Sequence, residues 1–267
     1  MTPGKLFWAL LLMIAGSPEM LGAIRPHKVR RVSTLSNRRR MHLQNLVTDP
    51  GTLEIEMGVA GSGNGVTAPF TLKYTPGVGR PFWHRTEFSV DLDAVSSLPG
   101  DLYWVTQFSD PVGIAATHLL HQGKILSLYF APQVAFLTRS DDGLRGGATA
   151  VVNTDLGAFS MAANVTWTAA TSPTESNPAG DLQVGTGLVR RIGGTNENPR
   201  WTLFVNGLQE NPTLGDTTYS VFEGVSYQVR RSLAVDVSVR HLNLASGRAD
   251  HQVLGGITVN SGRPRDW

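Results

Sequence analysis

The sequence predicts an all-β fold, an antiparallel up-and-down transmembrane β-barrel of about twelve strands. Three observations carry that expectation. The stretch GTLEIEMGV, residues 51–59, alternates strictly, with Leu53, Ile55, Met57 and Val59 on one face and Thr52, Glu54, Glu56 and Gly58 on the other. The alternation recurs as far as residue 260. Its runs hold about nine to twelve residues, where globular strands usually hold about five or six and a tilted membrane-spanning strand needs about 9–11. Only 16% of residues are charged and 29 of 267 are glycine, whereas a soluble domain carries about 25% charge.

The elements follow in order. VTAPFTLKY (66–74) sets Val66, Ala68, Phe70, Leu72 and Tyr74 against Thr67, Thr71 and Lys73. FWHRTEFSVDL (82–92) reads as a strand with Phe82, Phe88, Val90 and Leu92 opposite Trp83, Arg85, Glu87, Ser89 and Asp91. Tyr103–His121 reads as one long strand kinked at Asp110–Pro111. ILSLYFAPQVAF (125–136) sets Leu126, Leu128, Phe130, Val134 and Phe136 against Ser127, Tyr129, Ala131 and Gln133. AFSMAANVTWT (158–168) opposes Phe159, Met161, Val165 and Trp167 to Ser160, Asn164, Thr166 and Thr168. SLAVDVSVRHL (232–242) opposes Leu233, Val235, Val237 and Val239 to Ser232, Asp236, Ser238 and Arg240. GSGNG, TPGVGRP, AVSSLPG, HQGK, RSDDGLRGG, TDLG, TSPTESNPAGD, GGTNENP, NPTLGD, Arg230–Arg231 and ASGRAD make eleven connections, hence twelve strands. One alternate set includes the tightest and the other the longest, as in barrels with turns on one rim and loops on the other.

Residues 1–23 read as a signal peptide. Lys5 precedes the apolar run LFWALLLMIAG (6–16), Pro18 breaks it and Ala23 offers a cut. The run is too short to span a bilayer as a helix. Residues 24–50 read as a basic periplasmic arm. Arg25, Lys28, Arg30, Arg31, Arg38, Arg39 and Arg40 stand against Asp49, a net of +6, while the chain from Gly51 onward holds 15 basic and 19 acidic residues. Such a run is expected as a solvated tether, with contact to phosphates as the alternative. The barrel is expected over 51–260 and a C-terminal tail over 261–267. Cysteine is absent, which removes disulfides, thiolate metal sites and a cysteine nucleophile.

Period-two alternation does not by itself choose the wet face. The kinds of residue do. After Gly51 the only lysines are Lys73 and Lys124, and several polar faces carry Ala, Ser, Thr, Asn and Gly; a soluble surface favours long charged side chains. Phe70, Tyr74, Phe82, Trp104, Trp167, Trp201, Tyr219 and Tyr227 fall near strand ends, where membrane barrels carry aromatic girdles. The polar face is therefore expected to line a lumen. Glu54, Glu56, Lys73, Arg85, Glu87, Asp91, Asp236 and Arg240 are its charged candidates, their mixed signs permitting pairing. Closing the first strand on the last brings Glu54 and Glu56 within one strand of Asp236 and Arg240. These charges either hold the barrel's shape or act on a passing solute. The alternative is a secreted soluble β-sandwich or barrel, with the faces inverted and a small apolar ligand inside.

Two segments carry a resemblance. GTLEIEMGV and VFEGVSYQVRRSLAVDVSVRHLN…HQVLGGITVN resemble the outer-membrane barrel proteins of the phenol-degradation meta-pathway transporter type. Members of that family open on a Gly-Thr-Leu-Glu strand and close on strands similar to these. The resemblance implies an outer-membrane barrel and a channel for small, partly hydrophobic or aromatic compounds. The chain departs from the pattern at its end, where SGRPRDW follows Asn260 in place of a final strand ending on an aromatic residue.

No catalytic, metal or cofactor site is expected. Glu54 and Glu56 are spaced about 7 Å apart, within the range of a glycosidase pair, but they share one strand. His118 and His121 are three apart and fall on opposite faces of a strand. His84 and His241 fall on the apolar face, and a lipid-hydrolase reading finds no serine to pair with either. Gly61–Gly65 and Gly143–Gly147 are turns, with no helix following to cradle phosphate. The expected protein is porin-like, sits in the outer membrane of a Gram-negative-type bacterium and passes small solutes passively. Its partners are membrane lipids, a small-molecule solute and the barrel-insertion machinery, with no nucleic acid.

Overall fold

The computed structural model describes residues 47–62, 65–97, 109–123, 125–136, 143–173, 179–194, 199–213, 216–230, 232–242 and 250–261. Twelve strands form it: β1 (Leu53–Ser62), β2 (Gly65–Tyr74), β3 (Thr86–Ser97), β4 (Ser109–Gln122), β5 (Leu126–Phe136), β6 (Leu144–Asp155), β7 (Phe159–Ala170), β8 (Gly180–Gly194), β9 (Pro199–Pro212), β10 (Thr218–Arg230), β11 (Leu233–Leu242) and β12 (Asp250–Asn260). Each pairs antiparallel with its neighbours in sequence, and β1 pairs with β12, so the sheet is a closed barrel. Closure leaves no strand edge and gives every backbone ladder a partner.

The alternation read from the sequence is the alternation in the barrel. Leu53, Met57 and Val59 are exposed on the outside while Glu54 and Glu56 are fully buried inside. The same division holds in β7, where Phe159, Val165 and Trp167 face out and Ser160, Asn164, Thr166 and Thr168 are buried. The inverted arrangement of a soluble sandwich is absent from both strands. The outer face forms an apolar belt that runs around the barrel through Ile114, Phe130, Val152, Leu203, Val237, Val253 and Ile257. Exposed aromatics gather at the rim where β1 begins and β12 ends, here the terminal rim. Phe82, Trp83 and Phe88 pack as one group there, and Trp201 meets Tyr227 with centroids 4.5 Å apart. Trp167 lies near the far rim; Trp104 lies outside the described residues.

Two expectations change. The stretch 82–92 is not a continuous strand: Trp83–Arg85 form one turn of 3-10 helix and β3 starts at Thr86. Pro81 precedes this turn, and a proline cannot donate to a ladder. The Thr86 hydroxyl donates to the Phe82 carbonyl at 2.9 Å and ties the turn to the strand. The expected long strand from Tyr103 is described only from Ser109 onward, as β4. The connections at the terminal rim include the tight ones, such as 156–158, where Gly157 takes φ 76° and its N–H donates to Asp155 Oδ1 at 3.0 Å. A positive φ of that size suits glycine.

The interior is not uniformly polar. Tyr129, Val189, Phe204, Leu208, Phe222 and Leu254 belong to one buried apolar cluster inside the barrel. Phe204 and Phe222 stack with centroids 5.4 Å apart and planes at 17°. Gly224 makes room for that stack, because a Cβ there would sit 2.5 Å from Phe204 Cζ and 2.5 Å from Ser238 Cβ. Gly224→Ala should therefore overpack the interior and lower stability by about 1–3 kcal/mol, measured by denaturant titration of the folded barrel; an unchanged midpoint would show that Phe204 moves aside freely.

Candidate functional site

Five charged interior groups, Glu54, Glu56, Lys73, Glu87 and Asp91, share one wall. Register sets Glu54 of β1 beside Lys73 of β2 and Lys73 beside Ser89 of β3. One step toward the far rim, Glu56 lies beside Thr71 and Thr71 beside Asp91. Period two puts all six side chains on the inner face, and each is at most 3% exposed. Lys73 Nζ reaches Glu56 Oε1 at 2.6 Å and Glu54 Oε1 at 3.7 Å. Asn260 Nδ2 donates to Glu54 Oε2 at 3.3 Å across the seam that closes the barrel. Thr71 donates its hydroxyl to Asp91 Oδ1 at 2.8 Å. Glu87 joins the wall from β3, also buried.

The segment before β1 enters this interior. The Thr48 N–H donates to Glu87 Oε2 at 2.9 Å, and the Thr48 and Thr75 hydroxyls share a 2.6 Å hydrogen bond. Val47 packs against the apolar cluster. The end of the expected solvated arm is thus held inside the barrel, because Glu87 offers a buried acceptor and the cluster offers apolar surface. The remainder of the arm and the expected signal peptide, residues 1–46, lie outside the described residues.

The other candidates fall as follows. Asp236 faces inward from β11, level with Gly256 and Gly58, so the wall between Asp236 and β1 carries only glycine at that level. Arg240 is buried further toward the far rim, level with Gln252 and Ser62, and its guanidinium donates to Gln252 Oε1 at 3.4 Å. Arg85 does not line the interior. It sits in the 3-10 turn at the terminal rim and donates to the Leu120 carbonyl at 3.2 Å. The strand assumed for 82–92 placed it by parity, and the turn breaks that parity.

Two interior ion-pair groups were not singled out from the sequence. Toward the far rim, Arg145 donates to Asp181 Oδ2 and to Thr168 Oγ1, both at 2.8 Å, and Gln183 donates to the same Asp181 oxygen at 2.7 Å. At the terminal rim, Arg191 donates to Asp155 Oδ1 at 3.0 Å, to the Gly157 carbonyl at 2.6 Å and to the Ser160 hydroxyl. The signal was present in GDLQVGTGLVRRIGG, where Asp181, Gln183, Val189 and Arg191 share one parity.

The histidines stand apart from the wall. His118 Nδ1 bonds the Thr86 hydroxyl at 2.8 Å, and its ring stacks on Phe82. His241 lies on the outer face, with Nδ1 2.9 Å from His251 Nδ1 and Nε2 3.5 Å from Glu223 Oε1. Among the described residues no group of three His, Asp or Glu is placed to hold a metal.

The fold is similar to that of two solved porins. NanC porin superposes with a TM-score of 0.56 at 9% identity, over 78% of this chain and 98% of the other. KdgM porin superposes with a TM-score of 0.54 at 9% identity, over 77% and 98%. KdgM in complex with disordered oligogalacturonate gives 0.56 at 10% identity, over the same shares. No family model matches the chain, and no curated protein matches it.

Lys73 is the pivot of the wall. Lys73→Met takes the ammonium from two buried carboxylates and should cost about 3 kcal/mol in unfolding free energy. The Lys73→Met/Glu56→Gln pair should recover part of that loss in a denaturant titration. A double variant no more stable than the single one would contradict the pairing.

Proposed function

We propose that the protein is an outer-membrane barrel through which small solutes pass passively. The observation that carries this reading is the closed twelve-stranded barrel with an apolar belt outside and charged, hydrogen-bonded side chains inside. That is the reverse of a soluble barrel and the arrangement a bilayer requires. The shared fold of two porins supports it. Export by the segment 1–23, delivery by barrel-insertion machinery and the location in a Gram-negative-type outer membrane belong to the same reading. So does a non-catalytic role.

The solute in this reading is small and partly hydrophobic or aromatic. The interior cluster of Tyr129, Phe204, Phe222, Leu208 and Leu254 supports that choice, since it offers rings and aliphatic groups to a solute beside a polar wall. Membership of the phenol meta-pathway transporter type rests on the two resembling segments and is part of the proposal. Solute passage would be limited by the segment at Val47–Thr48, which occupies the interior near the terminal rim.

Fractionation with gel mobility before and after boiling tests the membrane reading. The protein should partition with the outer membrane and run faster unboiled. A soluble protein with no mobility shift would sink it. Val237→Arg, in the belt, should destabilise the barrel in liposomes by about 2–4 kcal/mol, and an unchanged stability would argue against a lipid-facing belt. Liposome swelling tests passage. Thr48→Pro removes both the N–H donated to Glu87 and the hydroxyl bonded to Thr75, and should speed solute entry about twofold or more; a slower or equal rate would remove the segment from the path.

A further inference from the structure

We propose that His241 and His251 form a binding site for a divalent transition-metal ion on the outer face of the barrel, with Glu223 orienting His241. The site stands apart from the interior and does not depend on solute passage. His241 is the next-to-last residue of β11 and His251 the second of β12. Register sets them directly opposite each other on neighbouring strands at the far rim. Both side chains point outward, because Arg240, Leu242 and Leu254 are buried at the opposite parity. Val239 and Val253 are the next outward pair on these strands, one step toward the apolar belt. The two imidazoles therefore lie at the edge of the belt, on the side of the aqueous rim.

The spacing of the rings suits one ion. The two Nδ1 atoms are 2.9 Å apart, and the rings meet edge to face, with planes at 84° and centroids 5.0 Å apart. An ion held by both nitrogens at about 2.0–2.1 Å would see them at an angle of about 90°. Tetrahedral ligands would need about 3.3 Å between the nitrogens. The pair thus fits neighbouring positions of a tetragonal ion, Cu2+ or Ni2+ in preference to Zn2+. Water takes the other positions, since no third His, Asp or Glu converges with these two among the described residues.

A second observation concerns the ring proton. Glu223 lies on the outer face of β10, level with Val239, and its Oε1 is 3.5 Å from His241 Nε2. A carboxylate only accepts, so it holds the proton of neutral His241 on Nε2 and leaves the Nδ1 lone pair directed at His251. A carboxylate behind an imidazole is the usual support of a metal-binding histidine. The 2.9 Å contact between the two Nδ1 atoms needs one hydrogen, and His251 supplies it. When an ion binds, that proton is exchanged through water to Nε2 of His251, the ring stays neutral, and both Nδ1 lone pairs turn to the metal. The group is open to solution, with the Glu223 side chain 59% exposed and that of His241 29%. A bound ion would tie β11 to β12, the strand that closes on β1.

The test titrates Cu2+ into the full chain folded in detergent, at a pH where imidazole is neutral. It reads affinity together with pulsed electron paramagnetic resonance. The chain should hold an ion bound by two imidazole nitrogens, and Zn2+ should compete for it at least about tenfold less well. Equal competition would overturn the tetragonal assignment. His241→Gln and His251→Gln should each weaken binding at least about tenfold and remove the two-imidazole signal. Glu223→Leu should keep that signal, weaken affinity about tenfold and shift the His241 ring nitrogen NMR resonances toward the other tautomer. Unchanged affinity and tautomer in Glu223→Leu would remove its positioning role. Should a glutamine variant lose its heat-modifiable mobility, His251→Asn is measured in its place, with the same loss expected. A two-imidazole signal that survives the histidine replacements assigns the copper to other histidines and overturns the site. Absence of that signal in the full chain overturns it too.

Discussion

The pairing of β1 with β12 is the constraint on which the rest of the structure depends. It spans Glu54–Asn260 to Ser62–Gln252 and removes the last free edge of the sheet. Once the sheet is closed, each strand has one face outside and one inside, and the period-two alternation forces a choice for every residue. The apolar set goes out, where it covers the backbone with hydrocarbon. The polar set has nowhere to go but in. Asn260 reaching Glu54 across this seam, and the Ser261 hydroxyl accepting from the Leu53 N–H at 2.9 Å, reinforce the closure with side chains.

Charges forced inward must be compensated there. Lys73 beside Glu54 and Glu56 and Arg145 on Asp181 are two separate answers in the interior, and Arg191 on the half-exposed Asp155 is a third at the terminal rim. A buried ion pair gains little net stability, yet loss of one partner is costly because the other is left in a poor solvent. These pairs therefore hold each wall in register more than they stabilise the barrel. Among the described residues the β1–β3 wall holds four buried acids and Lys73, and it is also the wall that receives the segment before β1.

The apolar cluster explains the other side of the interior. Phe204, Leu208 and Phe222 sit at positions where an alternating strand would place polar groups, and Gly224 gives up its side chain to admit a ring. The interior thus joins a carboxylate-rich wall to an apolar surface within one enclosed space. Val47 and Thr48 touch both: the valine meets the apolar cluster and the threonine N–H meets Glu87. A short stretch of main chain is thereby anchored without belonging to any strand.

By itself the sequence determined the strand count, the closed antiparallel architecture and the direction of most side chains, because period two sorts residue order into two faces and the kinds of residue on each face choose the inner one. Leu53 out and Glu54 in, or Trp167 out and Thr168 in, needed no tertiary information. Parity fails where the strand does, and Arg85 was misplaced because a 3-10 turn replaces β-structure from Trp83. Parity is also silent where both faces are apolar: in PRWTLFVNGLQENP, Leu203 and Phe204 differ in parity but not in hydropathy. Which charges meet depends on register between strands and on shear around the barrel. Only the tertiary structure could therefore bring Lys73 onto Glu56, set Arg240 beside Gln252, and draw Val47 and Thr48 from an expected solvated arm into the interior.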